Sequence, residues 1–547
     1  MLVDFNTTLL MTAFLLPFFI GVLSFFILKN VNPLLSLRIQ FVSTILNSIP
    51  LLLIAYYIYS YPQSSPTFST NRIFSLNHFL MVDHLSLYHI LLMIVVFISS
   101  ALFSQFYFKD EITERHETSE IKEIKEIKEI KEIESSDTIE LTRKKITFAR
   151  FTGLWNLTMA SMTLVLLSNH IILMWFALEA TTLSTTFLIC TNKHKNSVEA
   201  MWKYIIICSI GLSIALIGTV LFAYAAEGTD INIWLWTSLN THSALLNPLL
   251  VKMGFIFVVI GYGTKAGLAP MHTWLPDAHG EAPAPVSAIF SGFMLNLAVY
   301  VILRFIPIAS AATKYSGFTY DVLTLIGIIS LVISTIFIIH QKHLKRLLAY
   351  CSVEHMGIIS LGFGLGPAGS FVALLHTLNH SLSKIFAFYA SGMIGKIFGS
   401  QEMTKIKSVM KISPYWGSAL IVSILSLIGV APFAIFISEY KLLMVIINQH
   451  AWYTLIIFSI ASILIFIGIL KHLLNMIYGA TATAAIVDTK NANTSASKNQ
   501  NTSEQKIKIS FTEKFLISTF VLVLLLIGLW MPQSLFNAIQ FASEIVR

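Results

Sequence analysis

Of the 547 residues, 55% are hydrophobic and 12% charged, where a soluble domain carries roughly 25% charged residues. With a mean hydropathy of +0.75, the chain reads as a polytopic membrane protein with almost nothing left over for a soluble domain. The net charge of +8 does not point to nucleic acid, because it gathers in alternate loops. The three cysteines, Cys190, Cys208 and Cys351, stand singly, with no CxxC pair to hold zinc or an iron–sulfur cluster. No cofactor and no metal are expected.

A bilayer core about 30 Å thick takes roughly 20 apolar residues per helix, and about fourteen such stretches fit between Phe5 and Ile539. The expected fold is all-α. Residues 1–108 give three N-terminal spans; the first, Leu9 to Leu28, lacks a cleavage site and reads as a retained helix. Residues 109–148 contain "IKEIKEIKEIKEIE", whose three-residue period leaves no fixed apolar face, so they read as a charged cytoplasmic insertion, with a partner-binding helix as the alternative. Ten spans follow as two sets of five, 149–310 and 311–478. A linker rich in Asn, Ser, Thr and Lys (479–511) and a last transmembrane helix (512–547) complete the chain.

The basic residues alternate with these spans. Lys29 and Arg38, the block from Lys109 to Arg150, Lys193 and Lys195, then Lys342, Lys345 and Arg346 fall on one side, with later lysines up to Lys508. The opposite loops hold little beyond Arg72, Arg304 and Lys314. By the positive-inside rule the basic side is cytoplasmic and both termini lie on the other side.

A charged side chain at the centre of a span costs roughly 2.5 to 3.5 kcal/mol on insertion scales, so it persists mainly where it meets a partner or an internal water path. Glu179, in "LMWFALEATTLS", is the only ionisable residue from Ile171 to Ile189. Its proton affinity depends on how near a cation stands, so it can switch with a partner's position; a structural ion pair is the alternative. Lys203 lies nearer a helix start and can snorkel to the loop. In "GTKAGLAP", Pro270 removes a backbone donor in mid-span, and small residues make room for water beside Lys265. A desolvated lysine there can lose and regain a proton. "MHTWLPDAHGEAPAPVSA" follows as a re-entrant turn, in which His272, Asp277, His279 and Glu281 either form a proton entrance or merely pin the turn.

In the second half, "LLHTLNHSLSKIF" sets His376, His380 and Lys384 at i, i+4 and i+8, on one helix face. These read as a proton relay, joined by His355 from "SVEHMGIISLGFG". Zinc is disfavoured for want of a third ligand nearby, and packed core histidines are the remaining alternative. "GVAPFAIFISEYKLL" repeats the first design, with Pro432 as the break and Glu439 seven residues on. Glu179, Lys203 and Lys265 are spaced by 24 and 62 residues; His355, His380 and Glu439 by 25 and 59. Such paired halves are expected of inverted repeats.

"GTKAGLAPMHTWLPDAH", "HLKRLLAYCSVEHMGIISLGFG", "NHSLSKIF" and "GVAPFAIFISEY" resemble the antiporter-like subunits shared by respiratory complex I, the Mrp antiporters and membrane-bound hydrogenases, with hydrogenase-4 component F nearest. The resemblance runs from about Phe151 to Leu474. It implies a fourteen-helix subunit in which helices 4–8 and 9–13 form inverted five-helix repeats, with helices 7 and 12 broken. It further implies that Glu179 pairs with Lys265, that Lys203, His355, His380 and Lys384 relay protons, and that Glu439 ends the path. Where some relatives carry a lysine this chain has Asn296, so the bridge between half-channels would pass through water or His376.

The expected function is that of a proton-translocating subunit of a redox-linked complex, such as a hydrogenase-4, formate hydrogenlyase or complex I-like assembly. Redox chemistry would belong to partner membrane subunits and a peripheral redox arm, not to this chain. The alternatives are a Na+ or K+/H+ antiporter subunit and a proton-coupled module for inorganic-carbon uptake. The expected location is a bacterial inner membrane.

Overall fold

The computed structural model describes residues 2–60, 79–113, 127–191, 194–314, 317–479 and 509–547. In chain order the main helices are α1 (Leu2–Ile27), α2 (Pro33–Ser60), α3 (His84–Tyr107), α4 (Ile127–Leu167), α5 (Ile171–Ile189), α6 (Lys195–Tyr224), α7 (Pro248–Ala266), α8 (Trp274–Glu281) and α9 (Ala284–Ala312). They continue as α10 (Phe318–His340), α11 (Leu344–Gly364), α12 (Pro367–Ile397), α13 (Pro414–Leu427), α14 (Ala434–Asn448), α15 (Trp452–Tyr478), α16 (Phe511–Leu529) and α17 (Gln533–Val546). Among the described residues only isolated β-bridges interrupt the helical pattern.

Helix starts follow their capping residues. Asp83 accepts from the Ser86 amide at 2.9 Å to open α3, and Asn247 caps α7 just ahead of Pro248. Ser510 and Glu513 form a reciprocal capping box on α16.

Eleven described helices are long and apolar enough to cross a membrane, and the protein is a multi-pass, all-helical membrane protein. α12 is not among the eleven although it is 31 residues long, because its histidines, lysines and serines make it too polar; most of them are buried inside the protein. α9 sits at the centre, its most apolar window wholly buried, whereas α1, α15 and α16 are only 28% buried there and turn apolar faces such as Phe26, Ile463 and Leu522 outward. A π-helical turn, Phe290–Met294, lies within α9.

Small residues draw two helix pairs together. A Cβ on Gly218 of α6 would lie 2.7 Å from the Gly254 carbonyl of α7, and one on Gly327 of α10 would lie 2.8 Å from the Gly357 carbonyl of α11.

Several expectations need correction. α4 begins inside the isoleucine–lysine–glutamate repeat and runs unbroken into the span, so 148/149 is no boundary between elements. The stretch 271–288, read as a re-entrant turn, is largely helical, since α8 and the start of α9 occupy most of it. The segment 512–547 holds two helices, and the amphipathic α17 packs back on α3 with His84 and Phe541 ring centroids 5.1 Å apart. Arg304 and Lys345 are not loop residues, being only 1% and 5% exposed; their hydrogen bonds to Asp83 and to backbone carbonyls let them stay inside. Arg72, Lys193, most of the 479–511 linker and residues 114–126 of the insertion lie outside the described residues.

Candidate functional site

Both broken helices stop the same way. α7 ends at Gly267 (φ +76°) and the chain beyond α13 turns at Gly429 (φ +66°), each three residues before its proline in Gly-Leu-Ala-Pro and Gly-Val-Ala-Pro. The left-handed glycine terminates the helix, and Pro270 and Pro432 lie in the turn that follows. Two of the backbone groups freed by the first break find partners inside the protein: Trp274 Nε1 donates to the Thr264 carbonyl at 2.9 Å, and the Ala269 amide donates to Ser330 Oγ at 2.9 Å.

Lys265 sits in the last turn of α7, where the exposed carbonyls favour a cation. It is fully buried, and its ammonium donates to Thr182 Oγ1 at 2.7 Å and to the Tyr204 hydroxyl at 2.8 Å. Glu179, half-buried on α5, does not meet Lys265 directly. Thr182 stands between them, 3.4 Å from Glu179 Oε2, while Ser209 donates to Oε1 at 2.8 Å. Tyr204 extends the group to Thr185 at 2.7 Å. The first cluster is therefore an acid and a base joined through one hydroxyl, with Thr182, Tyr204 and Ser209 absent from the sequence reading.

Lys203 stands apart. Its side chain is 46% exposed and pairs with Glu199 at 2.7 Å and Asp277 at 3.0 Å, and Asp277 also pairs with Arg346. These residues, with Asn196 and Glu281, line an open cavity of about 220 Å³ at the end of α6 and α8. His279 lies deeper, stacked on Phe388 with centroids 4.9 Å apart and neither ring nitrogen bonded. Lys345 of α11, buried as well, donates to the Ala282 carbonyl between α8 and α9 at 2.7 Å. His272 is buried against Phe337 and Tyr350 rather than in the cavity.

The second cluster lies among α11, α12 and α14. Lys384, fully buried, donates to the Leu348 carbonyl at 2.6 Å. His355 Nδ1 and His376 Nε2 are 3.1 Å apart, and the rings of His355 and His380 have centroids 5.2 Å apart. His376 Nδ1 lies 2.9 Å from Ser438 Oγ. Ser438 already gives its hydrogen to the Ile435 carbonyl and accepts from Asn379 Nδ2. The network therefore assigns the His376 proton to Nδ1, leaving the Nε2 lone pair directed at His355. Glu439, half-buried on α14, brings its carboxylate to within 4.8 Å of ligating atoms of His355 and His376. The third ligand that the sequence appeared to lack thus comes from another helix.

One more buried charge was missed. Arg304 of α9 donates to Asp83 Oδ1 at 2.8 Å and to Ser86 and the Tyr300 hydroxyl at 2.7 Å each, with its guanidinium 4.7 Å from the Trp236 ring centre. Burial works against charge on Asp83, yet Arg304 and the Ser86 amide outweigh it and hold its carboxyl below the usual range. Asn296, two turns back on α9, donates to Ser381 Oγ at 2.7 Å.

Residues 168–468, which include both clusters, match a model of the NADH:quinone oxidoreductase/Mrp antiporter membrane family. A hydrogenase-4 component F homolog of Methylacidiphilum infernorum is 37% identical over 369 residues, 67% of this chain and 72% of that protein. The fold is that of a chain in the membrane-bound sulfane sulfur reductase, an archaeal respiratory membrane complex, with a TM-score of 0.77 at 20% identity over 98% of this chain and 97% of the other. A chain of the Mrp complex from Dietzia sp. DQ12-45-1b gives 0.73 at 17% identity, again over 98% and 97%.

Proposed function

The chain belongs to the NADH:quinone oxidoreductase/Mrp antiporter membrane family, and from that premise we propose that it is an antiporter-like subunit that carries protons through the membrane for a larger redox-linked complex. The observation that carries this reading is Lys265: a fully buried base at the end of a half-helix, bonded only to hydroxyls, one hydroxyl away from Glu179. Buried Arg304 is anchored on a carboxylate and Lys345 and Lys384 on backbone carbonyls, whereas Lys265 meets side-chain hydroxyls, which can both accept and donate a hydrogen.

In this reading each broken helix counts as one crossing. With α4 and α12 included the chain makes fourteen crossings, and 149–310 and 311–478 are inverted repeats. The shared Gly-x-Ala-Pro breaks support that division. Protons enter the second half by the Lys203, Asp277 and Glu281 cavity and His279, pass Lys384, His380, His355 and His376, and leave by Glu439. In the first half, movement of a partner's charge against Glu179 changes the hold of Thr182 on Lys265, and Lys265 takes or releases a proton. Moving one charge against 100 mV requires about 2.3 kcal/mol, which a shift of a couple of pH units in proton affinity supplies. The partners are other membrane subunits and a peripheral redox arm, and the location is a bacterial inner membrane with both termini outside.

The test is co-purification from native membranes in mild detergent, followed by proton uptake by the reconstituted complex. Redox subunits together with uptake that Lys265→Ala abolishes support the reading. Uptake unchanged in Lys265→Ala, or uptake that requires Na+ or K+ on the opposite side, overturns it in favour of a scaffold or a cation antiporter.

A further inference from the structure

The second cluster has the makings of a metal site as well as a relay. His355 Nδ1 and His376 Nε2 are 3.1 Å apart, close to the separation of about 3.3 Å expected for two nitrogens on one tetrahedral zinc ion. The Glu439 carboxylate completes a set of three whose ligating atoms all lie within 4.8 Å of one another. Three protein ligands and one open position are the arrangement of an accessible zinc site rather than a closed structural one.

The surroundings fit the same role. A metal-bound histidine generally fixes its other nitrogen on a hydrogen-bond acceptor, and Ser438 does this for His376 Nδ1, itself held by Asn379. His355 would have to carry its proton on Nε2 to turn a lone pair from Nδ1 toward the ion, and that nitrogen is buried without such a partner, so of the two histidines only His376 has this support. Both nitrogens of His380, whose ring neighbours His355, are likewise unbonded, but His380 lies outside the group of three, so the fourth position stays open. The three residues come from α11, α12 and α14, and only Glu439 reaches partly to the outside. An ion would arrive by the same end that the relay uses for exit.

We propose that His355, His376 and Glu439 bind a divalent transition-metal ion of the zinc class, and that an ion bound there closes the proton path. Closure follows because the ion occupies the lone pairs through which the two histidines hand on a proton. The binding half stands on the geometry alone; the closure half rests on the proton-relay reading above.

The test uses the full chain in lipid nanodiscs, titrated with ZnCl2, with zinc X-ray absorption as the structural readout and proton uptake by the reconstituted complex as the functional one. The expected result is one tight zinc per chain with nitrogen and oxygen ligands at about 2.0–2.2 Å. His376→Ala and Glu439→Gln each abolish it, and Ser438→Ala, which keeps all three ligands, weakens it roughly 10- to 100-fold. Controls in exposed His340→Ala and His450→Ala bind as the wild type does. Absence of stoichiometric binding, or binding retained in variants that unfold like the wild type, overturns the site. Binding as assigned with uptake undiminished overturns closure, whereas a chain that carries no protons even without zinc sinks the relay reading and leaves the site intact.

Discussion

The hydroxyl of Thr182 is the point at which the first cluster can be cut without touching a charge. It accepts from the Lys265 ammonium at 2.7 Å and lies 3.4 Å from Glu179 Oε2, and the Tyr204 hydroxyl makes the other bond to Lys265 at 2.8 Å. Thr182→Val keeps the branched shape and removes only the hydroxyl. A hydrogen bond to a charged group contributes about 1.5–3 kcal/mol, and each 1.36 kcal/mol in a barrier is tenfold in rate. If the whole loss falls on the proton-transfer step, uptake slows roughly 10- to 150-fold. The assay is proton uptake into vesicles holding the purified complex, at matched protein level, with Thr182→Ser expected to recover most of the rate. Ser213→Ala serves as control, since that hydroxyl bonds only its own helix at an exposed position. A double variant with Glu179→Gln separates linkage from general damage, because residues in one network give non-additive effects. Uptake in Thr182→Val within twofold of the wild type would refute the idea that Glu179 and Lys265 communicate through this hydroxyl.

Gly429→Ala places a Cβ 2.2 Å from Glu439 Oε2 and strains a left-handed backbone, whereas Gly267→Ala meets only Leu275 Cδ1 at 2.4 Å. The strain costs about 1–2 kcal/mol at either position, so both lower the thermal midpoint similarly, and the Gly429 variant alone should also displace Glu439 and lose proton uptake. Arg304→Met strands Asp83 as an unpaired buried charge, a loss of about 3–5 kcal/mol that shows as poor yield and early unfolding in detergent; Asp83→Asn in the same chain should restore much of it. His170 caps α5 by accepting from the Leu173 amide at 3.4 Å, between the rings of Phe79 and Trp234, and burial holds its pKa below the ordinary value. Its contribution is therefore complete above about pH 6.5 and is lost as pH falls below that value toward the folded pKa. Unfolding scans from pH 8 to 5 should show a steeper acid loss for the wild type than for His170→Asn, and equal slopes would reject the cap.

Glu179, Lys265, Lys384 and the three histidines stood out in the sequence because a titratable group within an apolar run has few cheap explanations. Threonine, serine and tyrosine are ordinary in such runs, so nothing marked Thr182, Ser209, Tyr204 or Ser438 as the groups that join them. Arg304 and Lys345 misled for a different reason. Near the end of a span, hydropathy does not separate a base that snorkels from one that turns inward, and only Asp83, more than two hundred residues away in the chain, decides the matter for Arg304. The helix breaks were visible as prolines, but the nearer signal was Gly-x-Ala-Pro, which a side-by-side reading of the two halves would have exposed. Glu439 was visible as an acid within its span, but its meeting with His355 and His376 depends on the packing of α14 against α12, which spacing along the chain does not give.

A threonine hydroxyl owns a single hydrogen. When Thr182 accepts from Lys265 it can offer that hydrogen toward Glu179, and once a proton has hopped along the pair the O–H vector points back toward Lys265. A second hop in the same direction has to wait until the hydroxyl swings round. The neutral amine left behind accepts that hydrogen and holds it, whereas a recharged ammonium, which can only donate, turns it back toward Glu179. In the proposed relay the bond between Thr182 and Lys265 would therefore admit one proton and then need resetting, and the recharging of Lys265 is the event that resets it.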